Sequence, residues 1–350
     1  MSEQPLNERE HAILEAVIRT YVETAEPAGS RTVARRFRLG ISPATVRNTM
    51  SDLEEKGYLY HPHTSAGRVP TDLAYRLYVD ALMDRPHLSA QERTDLRRHL
   101  ETRGEGAAVE TLLRRAAQVL GLLTQELGVA IAPRLDEAVL ERLELVPLTE
   151  AKVLLVLALR AAGVRTIYVD VPAAIPAATL TSVARILNER LAGHTLREIR
   201  ATLPERLRDS VSPGEPGAAE LLNVFLQSGD ELFVGPQRAD GDLHLGRASV
   251  LAEQPEFASG ERLRSLIELT EQRDLLRQVM ARRGAEGGLK VTIGVEHGDP
   301  ALSDFTVVTS EYHSAGLKGV IGVIGPTRMP YDRVIALVES TSNLISDFLA

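Results

Sequence analysis

Between Ser42 and Ser51 the run SPATVRNTMS gathers residue types that can read the edge of a DNA base: the amide of Asn48, the guanidinium of Arg47, the hydroxyls of Thr45 and Ser51, and the small Ala44. Asn can pair bidentately with adenine and Arg with guanine, and a small side chain lets a backbone approach closely in the major groove. At ~100° per residue, Ala44, Asn48 and Ser51 share one helix face, with Thr45 and Arg47 flanking it. Val46, Met50 and Leu53, with Thr49 beside them, fall opposite. Such a helix packs one side and presents the other. A well-capped, solvated surface helix would show the same division.

The neighbouring elements decide what that face is for. Ser42 followed by Pro43 starts a helix, because Ser accepts from a free backbone N–H at the cap and Pro has none to lose at the first helical position. The helix is expected to end near Lys56-Gly57. Upstream, Ser30 is expected to cap a shorter helix reaching about Phe37, and Gly40 supplies the turn. Downstream, Tyr58 to Thr71 turns extended around a polar tip, a wing able to bring His63, Ser65 and Arg68 beside a sugar-phosphate backbone, with Arg31 as a further backbone contact. Helix, turn, helix and hairpin together read as a winged helix-turn-helix. His61-x-His63 also admits a metal, but there is no Cys and no third ligand nearby.

Charge follows the same division. From Ser30 to Pro70 seven basic residues (Arg31, Arg35, Arg36, Arg38, Arg47, Lys56, Arg68) face three acidic ones (Asp52, Glu54, Glu55), a local balance of +4 in a chain of net charge −8. A basic patch on an acidic protein is the footprint of a small DNA-reading module on a larger body that does not bind DNA. Part of it also suits a solvated helix end, where cations favour the dipole.

The whole chain, 350 residues, is long enough for two or three domains. Zero cysteines exclude disulfides and thiolate metal sites and fit a reducing cytoplasm. The N-terminus lacks the basic-then-apolar order of a signal peptide. The longest apolar run, Val153 to Leu159, falls far short of the ~20 residues of a spanning helix, so no membrane partner is expected.

Asn7 and Glu10 have capping-box spacing ahead of an apolar stripe (Ile13, Leu14, Val17, Ile18, Tyr21, Val22) that the next two helices can cover. A DNA-binding domain is therefore expected over residues 1–84, followed by a polar linker containing a short helix over 85–106. Strands and helices then suggest an α/β domain in two segments, 107–192 and 289–350, with a block at 193–288 inserted between them. In that block a short helix is expected around Leu221 to Leu226, a strand at Leu232 to Val234 and one long helix from Glu261 to about Arg282. Near the C-terminus, Gly322-Val-Ile-Gly325-Pro326-Thr-Arg328 reads as strand, glycine loop and helix start. Its N–H groups and Arg328 could hold an anionic effector, or the loop could be a close-packed structural turn. Glu296-His297-Gly-Asp299 has metal-friendly residue types on a turn that favours polar residues anyway. No base, orienting partner and nucleophile occur together, so no enzyme is expected.

The segments LNEREHAILEAVIRTYVETAEPAGSRTVARRF, ISPATVRNTMSDLEEKGYLYHPHTSAGRVPTDLAYRLYVD, LFVG…PEF and GVIGPTRMPYDRVIALVE resemble the HrcA heat-inducible transcription repressors over nearly the whole chain. The resemblance implies an α+β multidomain protein: a winged helix-turn-helix, a GAF-like α/β domain and an inserted dimerising block. It implies a homodimer on an inverted-repeat operator of double-stranded DNA upstream of chaperone operons, cytoplasmic and nucleoid-associated when bound. It also implies recovery of the DNA-binding form with help from a GroEL-type chaperonin, and neither cofactor nor catalysis. One stretch departs: the family usually has a glycine pair and an Asn after the LF strand, where this chain has Gly235-Pro-Gln-Arg-Ala-Asp-Gly-Asp242.

Overall fold

Asn7 opens the first helix, α1 (Glu8–Thr24), with a reciprocal cap: its Oδ1 accepts from Glu10 N at 3.0 Å, and Glu10 Oε2 accepts from Asn7 N at 2.9 Å. The computed structural model describes residues 6–38, 40–62, 67–83, 87–101, 109–133, 135–160, 163–208, 217–233, 243–314 and 317–349. Ile13, Leu14, Val17 and Ile18 on α1 are fully buried. Helices α2 (Ser30–Arg36) and α3 (Pro43–Glu55) pack over that stripe. Ser30 does not cap α2. Gly29 occupies the cap position with no side-chain bond, and Ser30 is the first helical residue and buried. The reason lies one residue earlier, where Ala28 is pinned in a backbone bridge to Arg68 and the helix begins as soon as the chain leaves it.

Two short antiparallel strands, β1 (Leu59–Tyr60) and β2 (Val69–Pro70), form the base of the wing. Helix α4 (Asp72–Leu77) follows and runs on into a π-helical turn, Tyr78–Leu82. Inside the expected linker lies α5 (Ala90–Leu100), capped by Ser89 and Glu92. The amphipathic α6 (Val109–Thr124) then leads into β3 (Leu127–Ile131), buried along its whole length as a central strand should be.

The next strands, β4 (Val139–Thr149), β5 (Lys152–Arg160) and β6 (Gly163–Asp170), make an antiparallel sheet in that order. Along β5, Val153, Leu155, Leu157 and Leu159 are buried, while the alternate Leu154, Val156 and Ala158 are only half covered. Helices α7 (Ala177–Leu191), α8 (Leu196–Leu207) and α9 (Ala218–Phe233) cover the first set. The Asn188 amide fastens α7 to β4, exchanging bonds with Leu143 N and O, both at 2.8 Å. Leu232 and Phe233, expected in a strand, are the end of α9, because Phe225 and Phe233 pack two turns apart on one buried face with ring centroids at 6.5 Å.

Strand β7 (Leu243–Leu245), α10 (Ser249–Ala252), α11 (Gly260–Glu271) and α12 (Arg273–Glu286) come next, then β8 (Lys290–Ile293), β9 (Phe305–Ser314), β10 (Leu317–Pro326) and α13 (Tyr331–Leu349). The long helix expected over 261–282 is two helices, since Gln272 leaves the helical region at ψ 60°. The second sheet has the order β7-β3-β10-β9-β8 and a core of Val129, Ile131, Leu266, Met280, Val307 and Ile324 among others.

By packing, the chain divides into two compact units. One comprises Met1–Ile131, Leu243–Glu311 and Val320–Ile345, so the winged helix-turn-helix shares a unit with the five-stranded sheet. The other comprises Ala132–Asp242, Tyr312–Gly319 and Ser346–Ala350. The interruption of the α/β framework drawn from sequence at 193–288 thus stands beside a compact unit that begins at 132. The architecture is α+β and multidomain.

Candidate nucleic-acid interface

Helix α3 is capped as its sequence requires. Ser42 Oγ accepts from Thr45 N at 3.1 Å and lies 3.0 Å from the Thr45 hydroxyl. Val46, Thr49, Met50 and Leu53 are buried, while Ala44, Arg47 and Asn48 are exposed and Thr45 and Ser51 are half-buried. Ser51 Oγ donates back to Arg47 O at 3.3 Å. The hydroxyls at 42, 45 and 51 therefore have partners within the helix. The Asn48 amide and the Arg47 guanidinium have none among the described residues, which leaves their donors and acceptors available to a ligand.

The seven cations separate into two groups. Arg36 pairs with Glu23, and its guanidinium carbon lies 5.8 Å from the centre of the Phe37 ring. Lys56 Nζ lies 2.7 Å from Glu10, and Arg68 Nη2 lies 2.8 Å from Glu54. Burial pushes the Glu10 carboxyl up, but the bonds from Lys56 and Asn7 N outweigh it and hold the group below its ordinary range. Lys56 thus ties α1 to the end of α3. Arg31, Arg35, Arg38 and Arg47 are exposed and make no ion pair among the described residues. Sequence placed Arg35 and Arg38 in the basic patch without assigning them a contact, and assigned none to Tyr60, 48% exposed on β1. The Arg35-Arg36-x-Arg38 run was visible, but which of its members pair internally was not.

Arg68 is not a freely presented cation. Its side chain is 18% exposed against α3, and its backbone exchanges bonds with Ala28, at 2.8 Å from Ala28 N and 3.0 Å to Ala28 O. A Cβ at the preceding Gly67 would stand 2.4 Å from the Ala28 carbonyl, so the wing's return strand is pressed against the α1–α2 connection. His63 and Ser65 lie outside the described residues.

The C-terminal glycine loop puts Arg328 to internal use. Nε and Nη2 hold Glu256, the latter at 2.9 Å, and Nη1 donates to Val22 O at 2.5 Å. Each guanidinium nitrogen is committed, so an anionic effector would have to displace Glu256. Beside this pair sits Glu126, 1% exposed, whose Oε2 accepts from Gln254 Nε2 at 3.2 Å. Burial drives the Glu126 carboxyl well above its ordinary range, against the opposing pull of Gln254 and Arg328. On the turn that suggested a metal, Glu296 is bound by Arg76 and Asp299 accepts from Ala301 N. Among the described residues no cluster of three or more His, Asp or Glu is placed to hold a metal, and no helix is long and apolar enough to cross a membrane.

A capped helix with an open polar face, a hairpin beside it and four exposed arginines that make no ion pair among the described residues define a winged helix-turn-helix regulator. Residues 110–335 match the family model described as the HrcA protein C terminal domain. The chain is 37% identical to the heat-inducible transcription repressor HrcA of Chlorobium phaeobacteroides (strain BS1), over 99% of both chains. It is 36% identical to that of Carboxydothermus hydrogenoformans and 33% to that of Pelotomaculum thermopropionicum, over at least 97% of each. The chain belongs to the HrcA family of heat-inducible transcription repressors, which are not enzymes. Its fold also matches the crystal structure of a hypothetical protein, with a TM-score of 0.60 at 23% identity over 99% of both chains.

Proposed function

We propose that the chain represses transcription by binding an inverted-repeat operator of double-stranded DNA as a homodimer, with α3 in the major groove. The observation that carries this reading is the division of α3 into a buried apolar face and an open face of Ala44, Arg47 and Asn48, in a module that also exposes Arg31, Arg35 and Arg38. Asn48 and Arg47 read base edges, Ala44, Thr45 and Ser51 allow close approach, and the remaining arginines bind phosphate. His63 and Ser65 add backbone contacts from the wing, which Arg68 holds in place through its pair with Glu54.

A second copy of the chain supplies the other half of the operator, since one winged helix reads only a few base pairs. Support for a self-association surface comes from the outer face of the three-stranded sheet. There Val146, Leu154 and Tyr168 align across β4, β5 and β6, and Val164 lies opposite Ala158. Tyr168 and Val164 are 70% and 69% exposed. Separation of the copies on warming removes the bivalent gain in affinity. Family likeness alone supports a GroEL-type chaperonin as the agent of recovery, and a cytoplasmic, nucleoid-associated location.

A gel shift with DNA from upstream of the chain's own gene, at two salt concentrations and two temperatures, tests the reading. The expected outcome is a specific complex at low temperature that weakens with salt and is lost on heating. A complex no tighter than with scrambled DNA, or one unchanged by heating, contradicts it.

A further inference from the structure

The reading head is fastened to the five-stranded sheet unit through two of its own elements. On α4, Arg76 grips Glu296 with both arms, Nε at 2.7 Å and Nη2 at 2.6 Å, and Nη2 also reaches Val291 O at 2.7 Å. Its Nη1 bonds Asp80 at 3.1 Å on the same side of the helix. One turn earlier, Asp72 Oδ2 accepts from Val295 N at 3.1 Å. The fit is close: Gly294 sits at φ +50°, and a Cβ there would lie 1.9 Å from that Asp72 oxygen. Between these polar contacts, Tyr75 is buried with its ring centroid 5.6 Å from that of Tyr331, the first residue of α13. The other fastening is at the end of α1, where Val22 O accepts from the same Arg328 that holds Glu256.

A bidentate guanidinium–carboxylate pair fixes orientation as well as distance. With α1 and α4 held separately, the head cannot turn about either point of attachment. Burial alone would raise the Glu296 carboxyl, yet Arg76 and Ile293 N hold it below the ordinary range, so the clamp stays charged at neutral pH. We propose that Asp72, Arg76 and Arg328 are positioning residues for operator spacing: they fix α3 relative to the five-stranded sheet of its own unit, and so narrow the separations of half-sites that two copies can engage together. The inference rests on the dimeric reading above. A loosely hung head would accept arms at several separations, whereas a fixed one accepts arms about one helical turn apart, or a set multiple of it, and rejects intermediate ones.

The full-length chain is used to select a duplex from a random-sequence pool. Its affinity is then measured for that duplex, for copies with one, two or ~5 base pairs inserted between the arms, and for a single arm. The parent chain is expected to lose at least about tenfold on the inserted copies. Arg76→Ala, and the milder Glu296→Gln, are expected to bind all spacings within about twofold of one another while keeping the parent's single-arm affinity. The exchanged pair Arg76→Glu with Glu296→Arg is expected to restore the preference. Thermal melting of each variant establishes that it is folded. A folded Glu296→Gln chain with the parent's spacing profile overturns the inference. If the parent selects only a single arm, the dimeric reading falls and this inference with it, an outcome distinct from a two-armed operator whose spacing the variants still discriminate.

Discussion

At the scale of single residues, the recognition face and the arginines around it differ in what they are free to do. Asn48 and Arg47 have no side-chain partner among the described residues, whereas Arg68 is held 2.8 Å from Glu54. A direct phosphate contact contributes ~0.9 to the slope of log affinity against log salt. Arg31→Ala is therefore expected to weaken binding to every duplex and flatten the slope by about that amount. Arg68→Ala is expected to weaken binding with the parent's slope, because it loosens the wing rather than removing a phosphate ligand, and Glu54→Arg with Arg68→Glu should recover much of the loss. A slope flattened equally by Arg68→Ala would make Arg68 a phosphate ligand after all. Tyr75 offers a second test. Its hydroxyl is buried with no hydrogen-bond partner among the described residues. Tyr75→Phe should then raise stability by on the order of 1 kcal/mol in denaturant melts, since a buried unmet donor costs more than its absence. A clear loss would point to a partner for that hydroxyl.

At the scale of elements, what could be read from sequence was what is local. Ser42-Pro43 capped α3 where expected, and the apolar spacing of Val46, Met50 and Leu53 gave its buried face, because caps and periodicity act within a few residues. Ser30 failed as a cap through a constraint from outside the window, the bridge between Ala28 and Arg68. The use of Arg328 was equally out of sight, since its partners Glu256 and Val22 lie 72 and 306 positions away. The same distance in sequence hid the burial of Glu126 after α6. A carboxyl whose folded-state pKa is raised contributes stability that is full below its unfolded pKa and is lost as pH rises toward the folded value. Glu126→Gln mimics the protonated form and should remove that loss. Its melting temperature is expected to exceed the parent's by a margin that grows from acid to neutral pH. A margin independent of pH would mean that Glu126 is charged in the folded protein.

At the scale of the whole molecule, a chain of net charge −8 carries a local balance of +4 between Ser30 and Pro70, and much of that module's charge is spent on holding itself together. Lys56 and Arg68 fasten helices and wing, leaving Arg31, Arg35, Arg38 and Arg47 for the ligand. Sequence could show the patch, but only the pairing shows its working part. Affinity from four phosphate or base contacts is modest and strongly salt-dependent, so selectivity has to come from the open face of α3 and from a second copy. The central claim is that Asn48 reads a base. Its most direct measurement compares the parent with Asn48→Ala on the selected operator and on a scrambled duplex, by fluorescence anisotropy at fixed salt. Operator binding is expected to weaken by about 1 to 3 kcal/mol while binding to the scrambled duplex is unchanged. Unchanged discrimination between the two duplexes would contradict it.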